Sequence, residues 1–171
     1  MFERPEPTEY ADYYGLYIGR VPEGDIRDLM ASEIENTLEL LRGIPARLET
    51  YRYAEEKWSV REVVGHVLDV ERVFAYRALS FARRDPEPLP SMEQDGWALA
   101  SNAHERPLAE LADELEAARR SHVAMFRGFD DDAALRTGVA SGFRFTVRGI
   151  AYVLVGHEIH HRSVLAERYL D

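Results

Sequence analysis

Four stretches of the sequence repeat apolar residues every three or four positions, which is the spacing of one face of an α-helix. The first stretch begins after Asp25, whose side chain can cap its first turn, and ends at Gly43. Ser59 and Glu62 form a capping box that opens the second helix, which extends to about Arg84. The apolar faces of these two helices comprise Ile26, Met30, Ile34, Leu38 and Leu41, and Val63, Val67, Val70 and Phe74.

The third and fourth helices follow the same pattern. The third starts at Pro107, a residue favoured in the first turn, and ends at Gly128. The fourth is capped by Thr146 and continues to about Tyr169. Their apolar faces comprise Leu108, Leu111, Leu115, Ala118 and Met125, and Ile150, Val153, Val164 and Leu165. Four amphipathic helices without a convincing sheet predict an all-α four-helix bundle.

The segments outside these helices predict long connections and an N-terminal arm. Residues 1–22 are rich in proline and tyrosine, which indicates an irregular arm that wraps the domain. The connection 85–106 begins with a proline-rich loop and is expected to contain one short helix around Trp97. We expect 129–145 to be a loop with a short extended piece at 143–145. Trp97 and the arm tyrosines are candidates for lining the mouth of a site, although they are more often packing residues.

Composition narrows the class of protein. A chain of 171 residues, 46% hydrophobic, is expected to form one globular domain over residues 1–171. Its 31 acidic against 21 basic residues, a net charge of −10, weigh against binding to nucleic acids or anionic membranes. No secretory signal or membrane-spanning stretch is expected, and the absence of cysteine excludes disulfides, thiolate ligands and cysteine nucleophiles. We therefore expect a cytoplasmic protein.

Two histidines of the fourth helix lie one helical turn apart. His157 and His161 differ by about 40° around the helix axis, so their side chains point the same way. This spacing allows two imidazoles to bind one ion at about 2.0–2.1 Å. Both residues fall on the apolar face, which indicates that they point into the bundle.

A third histidine, His66, interrupts the apolar face of the second helix between Val63 and Val70. Two separate helices therefore bring histidines into the same interior. Three neutral nitrogen ligands without a fourth protein ligand leave one coordination position open, which is the pattern of catalytic metal sites. The alternative is three hydrogen-bonded core residues, because a buried histidine is more often that than a ligand.

Two segments carry a resemblance to a known family. The segment 57–66, KWSVREVVGH, followed by Asp69 and Glu71, resembles the second-helix motif of the DinB/YfiT-like superfamily. The segment 156–161, GHEIHH, resembles the terminal-helix motif of that superfamily. The order and spacing of the helices match as well, so the resemblance covers the chain from about residue 25.

The resemblance implies a bundle with an unusual connection order, frequent homodimers and one divalent metal ion. It places the ligands on His66, His157 and His161, and Zn²⁺ or Ni²⁺ is the expected ion. Members include thiol-dependent S-transferases and isomerases, which adds an external low-molecular-weight thiol as a candidate cofactor. Many other members have no assigned reaction.

The remaining histidines are competitors for these roles. His160 is three residues from His157, a spacing that also permits chelation, but the family pattern favours His161. His122 lies on the inward face of the third helix, where core packing or a hydrogen bond to a ligand is expected and a fourth ligand is conceivable. His104 lies beside a loop and is expected to be solvated.

Residues 157–161 also satisfy the H-E-x-x-H signature, in which Glu158 would be the general base of a zinc protease. One protease class has a further glycine and a third histidine at positions where this chain has Val164 and Glu167. The protease interpretation is therefore disfavoured. Glu158 is then either a base in another reaction or a solvated or salt-bridged helix residue.

Three charged residues have open interpretations. Asp69, one turn beyond His66, either orients its imidazole or forms an ordinary ion pair. Arg144 and Arg148 lie near the start of the fourth helix, where the helix dipole disfavours cations. They are expected to pair with the aspartates 130–132 or to receive an anionic substrate group.

Two main functions follow as hypotheses. The first is a metal-dependent enzyme in which the ion activates water or an external thiol against a small molecule, giving hydrolase or S-transferase/isomerase-like activity. The second is a metal-binding or dimeric interaction protein without turnover. An accessible pocket beside the histidines would favour the enzyme.

Overall fold

Long helices account for most of the computed structural model, which describes residues 2–170. The helices are α1 (Gly15–Ile18), α2 (Ile26–Gly43), α3 (Val60–Ala82), α4 (Gln94–Ala100), α5 (Leu108–Arg127), α6 (Asp131–Leu135) and α7 (Val147–Tyr169). Helices α2, α3, α5 and α7 form a four-helix bundle, which confirms the predicted fold class. The connections and the arm add short 3₁₀ turns at Pro7–Glu9, Asp12–Tyr14, Ala46–Leu48 and Ala103–Glu105.

The predicted helix starts are confirmed by their caps. The Asp25 side chain accepts a hydrogen bond from the backbone of α2, and Ser59 and Glu62 form both bonds of the capping box at α3. Thr146 accepts from the Gly149 amide at the start of α7. Pro107 lies one residue before α5, and α3 ends at Ala82, small differences that are common at helix ends. The predicted apolar faces are buried, apart from three half-buried residues, Ala118, Met125 and Val164.

The order of the helices around the bundle differs from a simple up-and-down arrangement. Helix α2 packs on α5 and α7, and α3 packs on the same two helices. Helices that are consecutive in the chain, α2 and α3, therefore lie diagonally across the bundle. This is the unusual connection order that the resemblance implies, and it places α3 directly against α7.

Helix α7 is not amphipathic over its first half, contrary to the sequence prediction. Every residue from 149 to 159 is buried, because α1 and α6 cover the sides of α7 that α2 and α3 leave open. A helix that is apolar all round is a central helix of a larger core. The polar groups of α7 within this span, His157 and Glu158, are therefore buried as well.

The connection 129–145 is more ordered than a loop, and this prediction was wrong. It contains α6 and an antiparallel hairpin of β1 (Thr137–Ala140) and β2 (Phe143–Thr146). The two residues between the strands, Ser141 and Gly142, have φ angles of 55° and 80°, which suit a tight hairpin turn. The expected extended piece at 143–145 is thus one strand of a pair, whose partner carries only a weak strand pattern.

The N-terminal arm is irregular, as predicted, and it is fixed to the bundle by hydrogen bonds. Arg4 donates to the carbonyl oxygens of Ile18 (2.9 Å) and Val21 (2.8 Å). Phe2, Ile18 and Val21 are buried in the core. Met1, the first residue of the predicted arm and domain, lies outside the described residues.

None of the helices in the described part of the chain is long and apolar enough to cross a membrane.

Candidate metal centre

The bundle brings three histidines together at the contact between α3 and α7. The Nε2 atom of His157 lies 3.2 Å from Nε2 of His66 and 3.1 Å from Nε2 of His161. The nitrogen atoms that the three residues offer all lie within 4.8 Å of one another. His66 and His157 are buried and His161 is half-buried. The three imidazoles therefore converge on one point, and we call this group the histidine cluster.

The spacing within the histidine cluster suits a metal ion. Tetrahedral coordination at about 2.0–2.1 Å puts ligand nitrogens about 3.3 Å apart, close to the two distances that involve His157. Hydrogen bonds among the rings cannot satisfy all three, because His157 Nε2 carries either one proton or one lone pair for two neighbours. The buried Nδ1 atoms of His66 and His161 have no partner among the described residues. A cation that accepts the lone pairs of the three Nε2 atoms would resolve the conflict among the rings.

The environment keeps the three imidazoles neutral. Burial lowers the pKa of His66 to about 4. Burial, followed by the proximity of His66 and His160, lowers the pKa of His161 to about 3. The pKa of His157 is well below its ordinary value for the same reasons. Neutral imidazole is the form that binds metal, so the histidine cluster is ready to do so at neutral pH.

Glycine precedes the first histidine on each helix and allows close packing there. A Cβ on Gly156 would lie 2.1 Å from the Tyr17 carbonyl oxygen, so only glycine lets α1 approach α7 at this point. A Cβ on Gly65 would lie 2.6 Å from the Ala103 side chain. The arm and the 101–103 segment therefore pack beside the histidine cluster and help to bury it.

Aromatic side chains cover the cluster on two sides. The Trp58 ring lies 4.7 Å from the His66 ring, and the Tyr17 ring lies 5.3 Å from the His157 ring. Tyr17 belongs to the arm, so the arm contributes directly to the wall of the site. These contacts restrict the planes of two imidazoles and cover one side of each ring.

Two cavities reach the histidine cluster from different sides. The arm cavity, of about 90 Å³, is bounded by His66 and His157 together with Tyr13, Tyr14, Arg77 and Gln94. The connector cavity, of about 300 Å³, is bounded by His160 and His161 together with Tyr53, Lys57, Trp58 and Asp95. A small molecule or a few waters fit in either space. Three of the four arm tyrosines, Tyr13, Tyr14 and Tyr17, line the arm cavity. Trp97 lines a separate surface pocket.

Comparison with known proteins identifies the family. The model of the DinB superfamily matches residues 30–165 of the chain. The chain belongs to the DinB superfamily.

Solved structures of similar proteins agree with this membership. YfiT from Bacillus subtilis is 15% identical, with a TM-score of 0.71 over 96% of this chain and 90% of that one. It is described as "a probable metal-dependent hydrolase with an unusual four-helix bundle topology". A DinB-like protein from Bacillus subtilis, YjoA, is 21% identical, with a TM-score of 0.61 over 84% of this chain and 87% of that one. These likenesses concern the fold. No curated protein matches the sequence.

The other histidines of this DinB superfamily member do not join the cluster. His160 packs edge-on against Tyr17, with 5.3 Å between ring centroids, and borders the connector cavity. His122 Nδ1 lies 2.8 Å from a carboxylate oxygen of Glu71, which is not a candidate ligand, so the expected hydrogen bond to a ligand does not form. His104 is exposed and lies 3.3 Å from Glu105, as expected for a solvated residue.

Glu158 points away from the histidine cluster, although it follows His157 directly. Its carboxylate accepts a hydrogen bond from the Thr37 hydroxyl (2.5 Å) and lies 2.6 Å from Nη1 of Arg119. The side chain is buried and fully engaged in this ion pair. The salt-bridged interpretation of Glu158 is therefore correct, and the H-E-x-x-H arrangement of a protease does not form.

Two further sequence interpretations are wrong. The His66 Nδ1 atom has no partner among residues 2–170, so Asp69 does not orient this imidazole; the Asp69 side chain lines a surface pocket instead. Arg148 pairs with Glu9 of the arm rather than with the aspartates 130–132. Arg144 donates to the Thr137 hydroxyl at 3.1 Å. Both arginines thus have partners other than the aspartates 130–132.

Two buried arginines, Arg77 and Arg119, were not predicted as site or core residues from the sequence. Arg77 borders the arm cavity on the same face of α3 as His66 and Val70, at helical spacing that could have revealed it. Arg119 lies next to the apolar face of α5 and is entirely buried, where it contacts Glu71 and Glu158. The available signal was a charged residue within a predicted apolar face for Arg77 and directly beside one for Arg119.

Proposed function

We propose that this chain is a metal-dependent enzyme in which His66, His157 and His161 hold one divalent ion. The observation that carries the proposal is the convergence of three neutral imidazoles on one point, with distances of 3.1 and 3.2 Å between Nε2 atoms. Imidazole ligands suit Zn²⁺ and Ni²⁺ equally well, and either is the expected ion.

The donor set supports a catalytic rather than a structural ion. Within residues 2–170, no carboxylate and no fourth histidine joins the three candidate ligands. A site with three protein ligands keeps a position for water or substrate, whereas structural sites have four. The arm cavity and the connector cavity provide space for a reactant beside that position.

The ion, the histidines and the aromatic residues around the site would have different roles in catalysis. A bound ion would supply Lewis acidity and lower the pKa of a coordinated water or thiol. The buried histidines stay neutral and available as ligands, because burial lowers their pKa values. Tyr17 and Trp58 pack against two of the imidazole rings and restrict their planes. Since the sequence has no cysteine, a thiol nucleophile would have to be an external small molecule.

The reaction proposed is hydrolysis, or transfer of a small external thiol, on a small-molecule substrate. The description of YfiT as a probable metal-dependent hydrolase supports the first. The resemblance of the two histidine motifs supports the second. A homodimer and a cytoplasmic location remain predictions, which light scattering and fractionation would test.

Metal analysis of protein purified without a histidine tag tests the proposal. We expect about one equivalent of Zn²⁺ or Ni²⁺ per chain after incubation with the ion and desalting. Less than roughly a tenth of an equivalent would contradict metal binding. A screen of metal-loaded protein against small esters, amides and electrophiles, each with water alone and with added thiols, then separates the enzyme from a metal-binding protein without turnover. Absence of turnover under every assay condition would favour the metal-binding protein without turnover.

A further inference from the structure

The arm cavity holds a buried guanidinium without a counter-charge. Arg77 is only 2% exposed, and its Nη2 atom donates to the Pro90 carbonyl oxygen (2.8 Å) and the Ser141 hydroxyl (3.0 Å). Both acceptors are neutral. No carboxylate in the described part of the chain forms an ion pair with Arg77, which also contacts the Tyr14 hydroxyl and the Phe74 ring.

Burying a charge without a partner is unfavourable, and the rest of this protein avoids it. The other deeply buried arginine, Arg119, contacts two carboxylates, those of Glu71 and Glu158. The protein has 31 acidic residues and a net charge of −10, so carboxylates are abundant. No carboxylate among residues 2–170 borders the arm cavity. The positive charge of Arg77 is therefore available to a ligand that enters the arm cavity.

Arg77 and the histidine cluster are on one face of α3. Residues 66 and 77 are separated by eleven positions, about 16 Å along the helix axis. The Arg77 side chain leans back toward His66, since its Cζ atom lies 4.7 Å from the centre of the Phe74 ring. His66, Phe74 and Arg77 all border the same cavity. A small elongated molecule in this cavity could therefore contact Arg77 and His66 at the same time.

We propose that Arg77 binds an anionic group of the substrate, a carboxylate, while the reacting group of the same molecule lies at the histidine cluster. This inference rests on the proposed function, because it assigns a substrate class to that site. A guanidinium is suited to this role, since its planar N–H groups match the geometry of a carboxylate. The Tyr14 hydroxyl and the Gln94 amide border the cavity and supply further hydrogen-bond donors.

Calorimetric titration with glutarate and its neutral diamide, glutaramide, tests the role of Arg77. We expect wild-type protein loaded with Zn²⁺ to prefer glutarate. The substitution Arg77→Met should weaken glutarate binding by about 10- to 100-fold, as expected for the loss of a buried charged hydrogen bond. It should leave the weak binding of glutaramide unchanged, and Arg77→Lys should restore part of the preference. Arg83→Met, which removes an exposed arginine at the end of the same helix, is the matched control and should behave as wild type.

The inference is overturned if wild-type protein shows no preference for glutarate. It is also overturned if Arg77→Met lowers the affinities for glutarate and glutaramide equally, or if Arg83→Met lowers the affinity for glutarate as much as Arg77→Met does. If Arg77→Met does not fold, as judged by its thermal melt, the ratio of the two affinities in Arg77→Lys decides instead. Metal content is measured in the same samples. Stoichiometric metal with no effect of Arg77 leaves the proposed function intact. If no metal binds, the proposed function fails, and the same titrations of metal-free protein still decide the role of Arg77.

Discussion

His157 and Glu158 are neighbours in α7, yet their side chains enter two very different polar clusters. His157 joins the histidine cluster, where buried nitrogen atoms lack partners and two cavities reach the rings. Glu158 joins the core ion-pair network, which we define as Arg119, Glu71, Glu158 and His122. Here Arg119 donates to both oxygens of Glu71 at 2.8 Å and to the Met30 carbonyl oxygen at 3.1 Å, and it lies 2.6 Å from Glu158.

The difference between the two clusters indicates their roles. In the core ion-pair network, Arg119 contacts the carboxylates of both Glu71 and Glu158, and hydrogen bonds join Glu71 to Arg119 and Glu158 to Thr37, as expected for a group that maintains the fold. The histidine cluster leaves donors and acceptors unmatched beside accessible space. Changes in the histidine cluster should therefore affect ligand binding, and changes in the network should affect stability.

Loss of a candidate ligand should give the largest effect. We expect His66→Ala and His161→Ala each to weaken Zn²⁺ or Ni²⁺ binding by more than about 100-fold, beyond the usual cost of losing a residue that only supports a ligand. His160→Ala is the matched control and should bind metal as wild type does. Titration with a competing chelator measures all three. An equal loss in His160→Ala would show that the choice of ligands is wrong.

Removal of the central cation of the network should destabilise the fold without affecting metal binding. In Arg119→Met, two buried carboxylates lose their counter-charge, and we expect the free energy of unfolding to fall by about 3–5 kcal/mol. Arg120→Met removes the neighbouring exposed arginine and should change it by less than about 0.5 kcal/mol. Urea denaturation of the metal-free proteins measures both. If metal affinity falls along with stability in Arg119→Met, the separation of a metal-binding cluster from a stabilising network is contradicted.

Metal should stabilise the folded protein, because the histidine cluster exists only in that state. At a free metal concentration of 100 times Kd, the gain is about 2.7 kcal/mol. For a chain of this size, this corresponds to a rise in Tm of roughly 5–10 °C, which a chelator should reverse. Thermal melts with and without metal measure the shift, with His161→Ala as the control that should not respond. A wild-type Tm that changes with neither metal nor chelator would contradict the proposed site.

The contribution of the core ion-pair network to the free energy of unfolding should decrease at acid pH. Burial alone would raise the pKa of Glu71, but the charge of Arg119 and hydrogen bonds from Arg119 and His122 outweigh it and lower this pKa to about 2. A carboxyl whose pKa is lower in the folded state contributes stability that is complete above its unfolded value of 4.5 and is lost as the pH falls toward 2.

We therefore expect the free energy of unfolding to fall by up to about 1.4 kcal/mol per pH unit in that range because of Glu71. Glu71→Gln should lose this contribution, and the exposed Glu39→Gln should keep it. Urea titrations at several pH values between these limits measure the slope. An unchanged slope in Glu71→Gln would mean that Glu71 is not charged in the folded network.

Asp69 should give the smallest effect. A carboxylate that orients a ligand imidazole typically improves metal affinity by about 10- to 100-fold. Since the His66 Nδ1 atom has no partner among residues 2–170, Asp69→Asn should leave metal affinity unchanged. Titration with a competing chelator would reveal a tenfold loss if Asp69 does support the site.

Features that depend on local sequence could be predicted. The caps at Asp25, Ser59 and Thr146 determine where helices begin, because each side chain bonds to a backbone amide only two or three residues away. The pairing of His157 with His161 follows from helix geometry alone. Both predictions need no knowledge of the tertiary structure.

Features that depend on contacts between distant segments could not be predicted. The burial of α7 on all sides arises from the arm and α6, which lie elsewhere in the chain. The partner of Glu158 is Arg119, and the partner of Arg148 is Glu9, across long sequence separations. Residue spacing suggested that the inward histidines of two helices share one interior. Their distances could be obtained only from the packing of α3 against α7.

Anomalous diffraction from crystals soaked in Zn²⁺, measured at the zinc absorption edge, would test the metal site most directly. We expect one strong peak at about 2.0–2.1 Å from the Nε2 atoms of His66, His157 and His161, with the fourth position open to the cavities. The absence of a peak between these three rings, or a peak bound by His160 in place of His161, would contradict the proposed metal site.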